Sequence, residues 1–328
     1  MFISVSGYNY TGASAVQDLL KEYGETADVK PEIAFVYLPD GILDLDYNIN
    51  QAATYFNGDA ALHRFWNLCE KSAIPAAQRP AFLRLTKAYL SALTEESWRG
   101  CSSFDGTRLS GTAYAWWRAR NFLASACYHF LRKSPPWTDR SMFLSYRVDN
   151  FSAITEQYLM DVIALFAEKG KIPVLNQFFS AYQPTLSMRY TPEARTIVVD
   201  RDPRDIYILG KIRHETHCYP SDDVKKFVTY FRRCWDRREL SSTEQTLYLH
   251  FEELVYYYED TVSRIESFLN IHDHVTPKKC FDPAVSIQNT QLKERFPNLA
   301  EEIDYIEREL SEYLYPFPYK LTVEKDFF

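Results

Sequence analysis

Several features that would assign this chain to a familiar class are missing from its sequence. None of its six cysteines forms a C-x-x-C pair, which argues against a zinc site or a disulfide framework and favours reduced cytoplasmic thiols. No apolar run is long enough to span a bilayer, and the first residues read as a strand, not as a signal peptide. We therefore expect a cytoplasmic protein without a membrane span. The cysteines are Cys69, Cys101, Cys127, Cys218, Cys234 and Cys280.

Basic residues are also outnumbered by acidic residues. The chain carries 37 Lys and Arg against 44 Asp and Glu, which argues against general nucleic-acid binding and leaves room only for local basic pockets. No histidine cluster has the spacing of metal ligands, so we predict no metal. Aromatic residues, by contrast, make up 16% of the chain, which indicates aromatic packing or an aromatic-lined cleft.

The most informative motif lies at residues 7–14, which read G-Y-N-Y-T-G-A-S. This is the spacing of a phosphate-binding P-loop, G-x-x-x-x-G-K-[ST], with Ala13 in the place of the lysine. A strand-like stretch precedes the motif and a helical apolar pattern follows it, as a P-loop requires. Without the lysine that reaches the β- and γ-phosphates, the loop suits a single phosphate held by backbone N–H groups and a helix N-terminus. An ordinary strand-to-helix turn capped by Thr11 or Ser14 is the alternative.

The apolar pattern predicts an α/β fold, a central parallel sheet flanked by helices in the manner of P-loop proteins. We expect one domain over 1–328 with a large helical insertion at about 50–140, packed over the carboxyl ends of the strands, where open α/β sheets bind ligands. Most aromatic residues of the insertion are expected to build its own core. The predicted strands are 2–6, 33–37, 142–146, 172–176, 195–200 and 246–250, and the predicted helices are 13–23, 152–168, 203–212, 221–238, 251–269 and 299–314.

A second informative segment runs over residues 194–205, where a β-branched strand ends in a dense group of charges. Asp202 can cap the helix that follows, and Pro203 suits its first position. Arginine offers a planar fork that suits phosphate. We expect Arg204 to pair with a neighbouring aspartate and Arg201, nearest the strand end, to contact a ligand.

With these two segments, the chain resembles the sulfotransferase superfamily that uses 3′-phosphoadenosine 5′-phosphosulfate (PAPS). Residues 3–14 resemble the family's 5′-phosphosulfate loop, and residues 195–205 resemble its 3′-phosphate segment, a strand followed by R-[DN]-P-R-D. Residues 249–254, with the apolar positions that follow, resemble its "R-Y-E-D-L…I..FLG" strand and helix. PAPS has phosphate at two ends and no γ-phosphate, so neither the P-loop lysine nor a metal is needed.

The resemblance implies a nucleotide site with two departures from the family pattern. Arg201 should bind the 3′-phosphate, and the loop amides with the Thr11 and Ser14 hydroxyls should hold the 5′-phosphosulfate. Tyr10 stands where the family loop carries a lysine or arginine, and Leu209 stands where a serine often supports the 3′-phosphate. Ser286, Asn289 and Lys293 would close over the nucleotide from a late loop, residues 281–293, for which a plain surface loop is the alternative. The loop residues implied are Gly7, Tyr8, Asn9, Tyr10, Thr11, Gly12, Ala13 and Ser14.

Sulfuryl transfer needs a general base that takes the acceptor's proton. Some family members place a glutamate at the start of the strand after the loop helix, and Glu32 holds that position here. A surface glutamate at a strand edge is the alternative. Asp44, His214 and His217 are expected to contact the acceptor. The other candidates for base or acceptor contact are His63, His129, His250, Asp46, Asn176 and Gln177.

The sequence thus predicts a PAPS-dependent sulfotransferase that acts on a hydroxyl, less often an amine, of a sugar, glycolipid, polysaccharide precursor or small metabolite. An aromatic insertion would offer stacking surfaces to such acceptors. The expected partners are this acceptor and no nucleic acid, and a homodimer stays open. One rival interpretation is a P-loop kinase or NTPase, which Ala13 in the place of the lysine disfavours. The other is a catalytically inactive nucleotide-binding relative, which stays open because Tyr10 replaces the loop cation.

Overall fold

The computed structural model describes residues 1–102, 105–106, 109–132, 139–213 and 218–321. The chain divides into two compact units. The sheet unit comprises residues 1–38, 73–79 and the described part of 159–328, and the helical unit comprises 39–72 and the described part of 80–158.

The described residues form seven strands and thirteen α-helices. The strands are β1 (Ile3–Gly7), β2 (Thr26–Asp28), β3 (Glu96–Gly100), β4 (Arg140–Leu144), β5 (Ile172–Asn176), β6 (Arg195–Asp200) and β7 (Thr246–His250). The helices are α1 (Ala13–Leu20), α2 (Ile42–Asp46), α3 (Tyr55–Lys71), α4 (Arg79–Ala92), α5 (Gly111–Leu131), α6 (Phe151–Ala164), α7 (Pro184–Met188), α8 (Pro203–Arg213), α9 (Val224–Trp235), α10 (Phe251–Tyr256), α11 (Tyr258–Leu269), α12 (Pro283–Ser286) and α13 (Ala300–Glu309).

The sheet unit is built on a five-stranded sheet in the order β2-β5-β1-β6-β7, in which every pair is parallel. Ile3 of β1 lies opposite Val174 of β5 on one side and Arg195 of β6 on the other. The predicted α/β class, a parallel sheet flanked by helices, is therefore confirmed. Four of the six predicted strands are strands of this sheet, because β-branched apolar runs of five or six residues suit a sheet that is buried on both faces.

Apolar side chains cover both faces of this sheet. Ile197 and Val199 of β6 face a cluster that includes residues of α1, α10 and α11. Val198 faces the other cluster, which includes residues of α8, α9 and α13. This alternation along one strand is the two-residue period of a β-strand, and it places helices on both sides of the sheet.

Two predicted strands are wrong as core strands. Residues 33–37 form no strand, since Ala34 to Leu38 make a turn, while Ile33, Phe35 and Val36 are buried all the same. Their apolar character reflects burial under a turn, which a short apolar run cannot distinguish from a strand. The run predicted at 142–146 is β4 of the helical unit, where it pairs antiparallel with β3. The true edge strand, β2, has only three residues and gave no pattern to detect.

The helical unit has a small aromatic core. Phe65, Tyr89 and Tyr158 are buried together, and the rings of Tyr89 and Tyr158 stack with centroids 4.3 Å apart. The expectation that most aromatic residues of this region are buried is wrong. Aromatic side chains of β3 and α5 are exposed instead. Among the described side chains of α5, only Ala124 is buried. The exposed aromatic residues are Trp98, Tyr114, Trp116, Phe122, Tyr128 and Phe130.

Among the described residues, every helix is too short or too polar to cross a membrane.

Candidate active site

The glycine loop connects β1 to α1 and has the backbone of an anion-binding nest. Asn9, Tyr10 and Gly12 adopt left-handed conformations with φ of 67°, 54° and 91°, and α1 begins at the next residue, Ala13. Successive N–H groups in such a turn converge on a concave point, to which the helix N-terminus adds positive potential. Glycine is required at position 12, because any Cβ there would approach Cδ2 of Phe251 within 2.6 Å.

Part of the loop is fixed by its own hydrogen bonds. The Tyr8 N–H donates to Oγ1 of Thr11 at 3.0 Å, and the Gly7 N–H donates to Oε1 of Gln177 at 3.2 Å. The Tyr8 hydroxyl is buried and donates to the carbonyl oxygen of Ala181 at 3.0 Å. These bonds hold the loop in shape, and they leave anion binding to the amides from Asn9 onward.

Arg201 follows the end of β6 and is buried, with 5% of its surface exposed. Its Nη1 donates to the Tyr10 carbonyl oxygen at 2.9 Å, its Nη2 donates to the Asn289 carbonyl oxygen, and its guanidinium lies 4.7 Å from the Phe251 ring centroid. Its Nε is buried without a hydrogen-bond partner in the protein. Arg201 thus ties the glycine loop to the late loop and keeps one unsatisfied donor beside the cavity.

The other charges after β6 organise the protein itself. Arg204 pairs with Asp202 at 2.6 Å and with Glu307 at 2.7 Å, so its predicted internal pairing is confirmed. Asp205 is buried and accepts the N–H groups of Gln291 and Leu292 at 3.0 and 2.8 Å. Burial raises the pKa of Asp205 to about 7. The buried carboxylate of Asp205 thus anchors the late loop against the start of α8.

A cavity of about 670 Å³ opens within the sheet unit. Gly7, Asn176, Arg201 and Phe251 line it, and each stands at or just after the carboxyl end of a parallel strand. Ligands of open α/β sheets bind at this edge. The cavity gathers residues that are far apart in sequence: the whole loop Gly7–Ser14, Glu32, Arg201, Ser286 and Asn289, together with Asp18, Tyr37, Asn176, Gln177, Tyr182, Leu209, Arg213 and Phe281.

Glu32 reaches this cavity from the segment that follows β2. Its pKa is raised above the ordinary value because the surrounding protein partly desolvates the carboxylate, although the residue as a whole is exposed. Tyr37 also lines the cavity, and burial together with the charge of Glu32 raises its pKa to about 12. A carboxylate with a raised pKa in an open cavity has the properties of a general base.

Arg213 is a cavity residue that the sequence interpretation missed. It is the last residue of α8, and its guanidinium lies 6.0 Å from the centroid of the Tyr10 ring. The edge of the Tyr10 ring also meets the Tyr219 ring, with centroids 6.1 Å apart. The signal was present in the sequence, because position 213 lies one helical turn after Leu209, which was already placed next to the nucleotide.

Other predicted residues lie elsewhere. Lys293 is outside the residues that line the cavity, and its Nζ pairs with Glu307 at 2.5 Å. Asp44 belongs to the helical unit, where its carboxylate accepts the N–H of Asp40 at 2.6 Å. His214 and His217 lie outside the described residues.

The remaining histidine candidates show structural contacts. Nε2 of His63 in the helical unit lies 3.0 Å from the carbonyl oxygen of Ser141 and 2.8 Å from Nη1 of Arg140. The backbone N–H of His250, at the start of α10, donates to Oε2 of Glu253 at 2.8 Å. His129 lies in α5, beside Phe130. Across the described ranges, no group of three or more histidine, cysteine or acidic side chains could hold a metal ion.

No protein-family model matches this sequence, and no curated protein matches it. Solved structures do match, and those that the chain resembles include sulfotransferases. The sulfotransferase domain of the Synechococcus olefin synthase is 11% identical with a TM-score of 0.39, over 88% of this chain and 87% of that one. Sulfotransferase STF1 from Mycobacterium tuberculosis is 13% identical with a TM-score of 0.36, over 88% of this chain and 76% of that one.

Retinol dehydratase in complex with androsterone and the inactive cofactor PAP is 11% identical with a TM-score of 0.35, over 97% of this chain and 82% of that one. Identities and scores this low leave the function to be argued from the site itself.

Proposed function

We propose that this protein is a sulfotransferase that moves the sulfuryl group of PAPS to an acceptor hydroxyl. One observation carries the proposal: a single cavity of the sheet unit gathers an anion-binding loop, an arginine with a buried unsatisfied donor and a glutamate with a raised pKa. This set suits a nucleotide with phosphate at two ends and a reaction that removes one proton. The loop lacks the lysine that reaches a γ-phosphate, since Ala13 stands in its place.

Nucleotide binding would use both sides of the cavity. The amides from Asn9 to Ser14 and the N-terminus of α1 would hold the 5′-phosphosulfate, because such a terminus favours anions. Arg201 would hold the 3′-phosphate. Ser286 and Asn289 line the same cavity from the late loop and would close over the nucleotide.

The chemical step would be an in-line displacement at sulfur. Glu32 takes the acceptor proton while the acceptor oxygen forms its bond to sulfur and the bond from sulfur to the bridging oxygen breaks. The 5′-phosphate of the leaving PAP gains the electron pair, and the loop amides stabilise the charge that develops there. Tyr10 can donate a hydrogen bond, and Arg213 beside its ring would supply the positive charge that the loop lacks.

The acceptor class follows from the chemistry of the base. A carboxylate suits a neutral hydroxyl, which must lose its proton as it attacks. A hydroxyl of a sugar, a glycolipid, a polysaccharide precursor or a small metabolite meets this requirement.

The first experiment is thermal melting with PAP, ADP and ATP as ligands. We expect PAP to raise the melting temperature more than ADP does, because ADP lacks the 3′-phosphate that Arg201 would hold. Arg201→Gln should remove this selectivity, whereas Arg237→Gln, an exposed arginine elsewhere in the sheet unit, should keep it. A larger shift with ATP would contradict the proposal and favour a P-loop kinase or NTPase.

The second experiment follows labelled sulfate from PAPS into a panel of hydroxylated acceptors. Transfer that Glu32→Gln abolishes while PAP still raises the melting temperature would support the catalytic assignment. PAP binding without transfer to any acceptor would favour a nucleotide-binding relative that has lost activity, an interpretation that Tyr10 in the place of the loop cation keeps open.

A further inference from the structure

Helix α5 of the helical unit differs in charge from the rest of the chain. Residues 111–131 contain no aspartate or glutamate, whereas they include Arg118, Arg120 and His129, and Arg132 follows at once. The whole chain carries a net charge of −7. A local excess of positive charge on an acidic protein marks a surface that attracts an anionic partner.

The same helix exposes large apolar side chains. Trp116 is 73% exposed and Phe130 is 82% exposed, with Phe122 and Leu123 also open to solvent. Positions 116, 119, 123, 126 and 130 follow one another by three and four residues, so they lie along one face of the helix. Isolated exposed apolar residues need no explanation, but a continuous apolar face indicates a binding surface.

The exposed face is not the one that packs on the protein. Ala124 is buried and Trp117 is partly buried, and at about 100° per residue they lie on another side of the helix. Trp117 packs over Gly106, where an added Cβ would lie 2.5 Å from the indole ring. The helical unit thus holds α5 by one side and leaves the apolar face open.

A basic edge runs beside this apolar face. Arg118 and His129 are exposed, and their spacing of eleven residues, about three helical turns, places them along one line of the helix. The exposed Arg132 follows the helix directly, in a left-handed conformation with φ of 53°. The guanidinium of Arg118 lies 6.0 Å from the centroid of the Tyr114 ring on the same line. The exposed surface of α5 therefore combines an apolar stripe of tryptophan, leucine and phenylalanine with a line of positive charge.

We propose that α5 docks on an anionic lipid bilayer, with its axis in the plane of the interface. Helices of this kind place aromatic and leucine side chains at the boundary between headgroups and acyl chains, while arginine contacts the anionic headgroups. A second copy of the chain fits less well, since its α5 would offer no aspartate or glutamate to the arginines of the first. The proposal needs no nucleotide, so it stands or falls independently of the proposed function.

The test is flotation of the purified full chain with vesicles of phosphatidylcholine alone or mixed with phosphatidylglycerol. We expect the chain to float with the mixed vesicles at low salt and to be released at high salt. Trp116→Ala with Phe130→Ala should lower the partition coefficient by about tenfold for each ring removed from the interface. Arg118→Gln with Arg132→Gln should lower it by about fivefold for each charge, and only on anionic vesicles at low salt.

A matched pair of substitutions separates α5 from general surface hydrophobicity. Leu123 in α5 and Leu240 in the sheet unit are each 57% exposed. Leu123→Ser should weaken flotation and Leu240→Ser should not, while both should melt near the wild-type temperature because neither residue is in the core. Equal effects of the two substitutions would overturn the proposal.

Two further outcomes would also overturn it. One is wild-type protein that stays with the aqueous phase, or that floats equally well with neutral vesicles at any salt concentration. The other is a dimer, measured by light scattering without lipid, that Trp116→Ala with Phe130→Ala converts to a monomer. That result would assign the apolar face to a second copy of the chain.

Discussion

Helices α9 and α5 are both rich in aromatic residues, but they place them in opposite environments. Phe227, Phe231 and Trp235 of α9 are buried in the sheet unit, where the rings of Phe231 and Trp235 stack with centroids 3.8 Å apart. Trp116 and Phe130 of α5 are exposed in the helical unit. In the sheet unit the aromatic residues build the core, and in the helical unit many of them face outward.

The contrast shows that a helical apolar pattern predicts which face of a helix is apolar. The pattern does not predict what packs against that face. Around α9 the cover is the protein's own α8 and α13, whose apolar residues belong to the same cluster. For α5 the candidate cover is a lipid surface. The division also separates two roles, because the cavity with the proposed chemistry lies in the sheet unit and the proposed docking surface in the helical unit.

The largest expected effect tests which unit supplies the general base. Glu32→Gln removes the carboxylate from the sheet-unit cavity and should lower kcat by about a hundredfold to ten-thousandfold, the range for loss of a general base. His63→Gln removes one histidine candidate of the helical unit and should leave kcat near the wild-type value. Initial rates of labelled sulfate transfer measure both.

The melting shift with PAP serves as the control for both variants, because neither side chain is proposed to hold the nucleotide. The reverse order of effects, with His63→Gln the more damaging, would transfer the base to the helical unit.

The second prediction concerns stability. Phe231→Ala removes a fully buried ring and should lower the free energy of unfolding by about 3–5 kcal/mol. Phe130→Ala removes an exposed ring and should change it by less than about 0.5 kcal/mol. Chemical denaturation followed by circular dichroism gives both values. A large loss for Phe130→Ala would mean that the protein itself covers α5.

The sequence predicted most of the sheet unit because its patterns are local. Strands such as Arg195–Asp200 contain continuous β-branched runs. The glycine loop is recognised from the spacing of Gly7 and Gly12. The resemblance to sulfotransferases then placed Glu32 and Arg201 as candidates, and the cavity contains both. Glu32 and Arg201 lie in the same cavity because the order of the parallel strands brings separate loops to one edge of the sheet.

The errors have physical causes. Ile33 to Val36 are apolar because they are buried under a turn, and β4 pairs with β3 outside the main sheet. Lys293 was expected to contact the nucleotide, but Glu307, fourteen residues later, pairs with it. Each error depends on a partner distant in the chain, and no short pattern contains that information.

The third prediction separates two arginines that each lie near the end of a helix in the sheet unit. Arg213 ends α8 beside Tyr10, whereas Arg233 lies in the last turn of α9, and both are exposed. Arg213→Ala should lower kcat by about fivefold, the equivalent of about 1 kcal/mol expected for an exposed cation over an aromatic ring. Arg233→Ala should leave kcat unchanged, and Arg213→Lys should restore part of the rate. Equal rates for the two alanine variants would exclude Arg213 as the replacement for the loop cation.

The smallest expected effect is the pH dependence of kcat/KM, which reports the free enzyme. Desolvation raises the pKa of Glu32 above the ordinary value of 4.5. Because a general base acts in its ionised form, kcat/KM should rise with pH through this raised pKa and then level off. An ordinary surface glutamate would instead give a flat profile above its usual pKa. The acidic limb should be absent from the residual activity of Glu32→Gln, and its persistence there would assign the limb to another group.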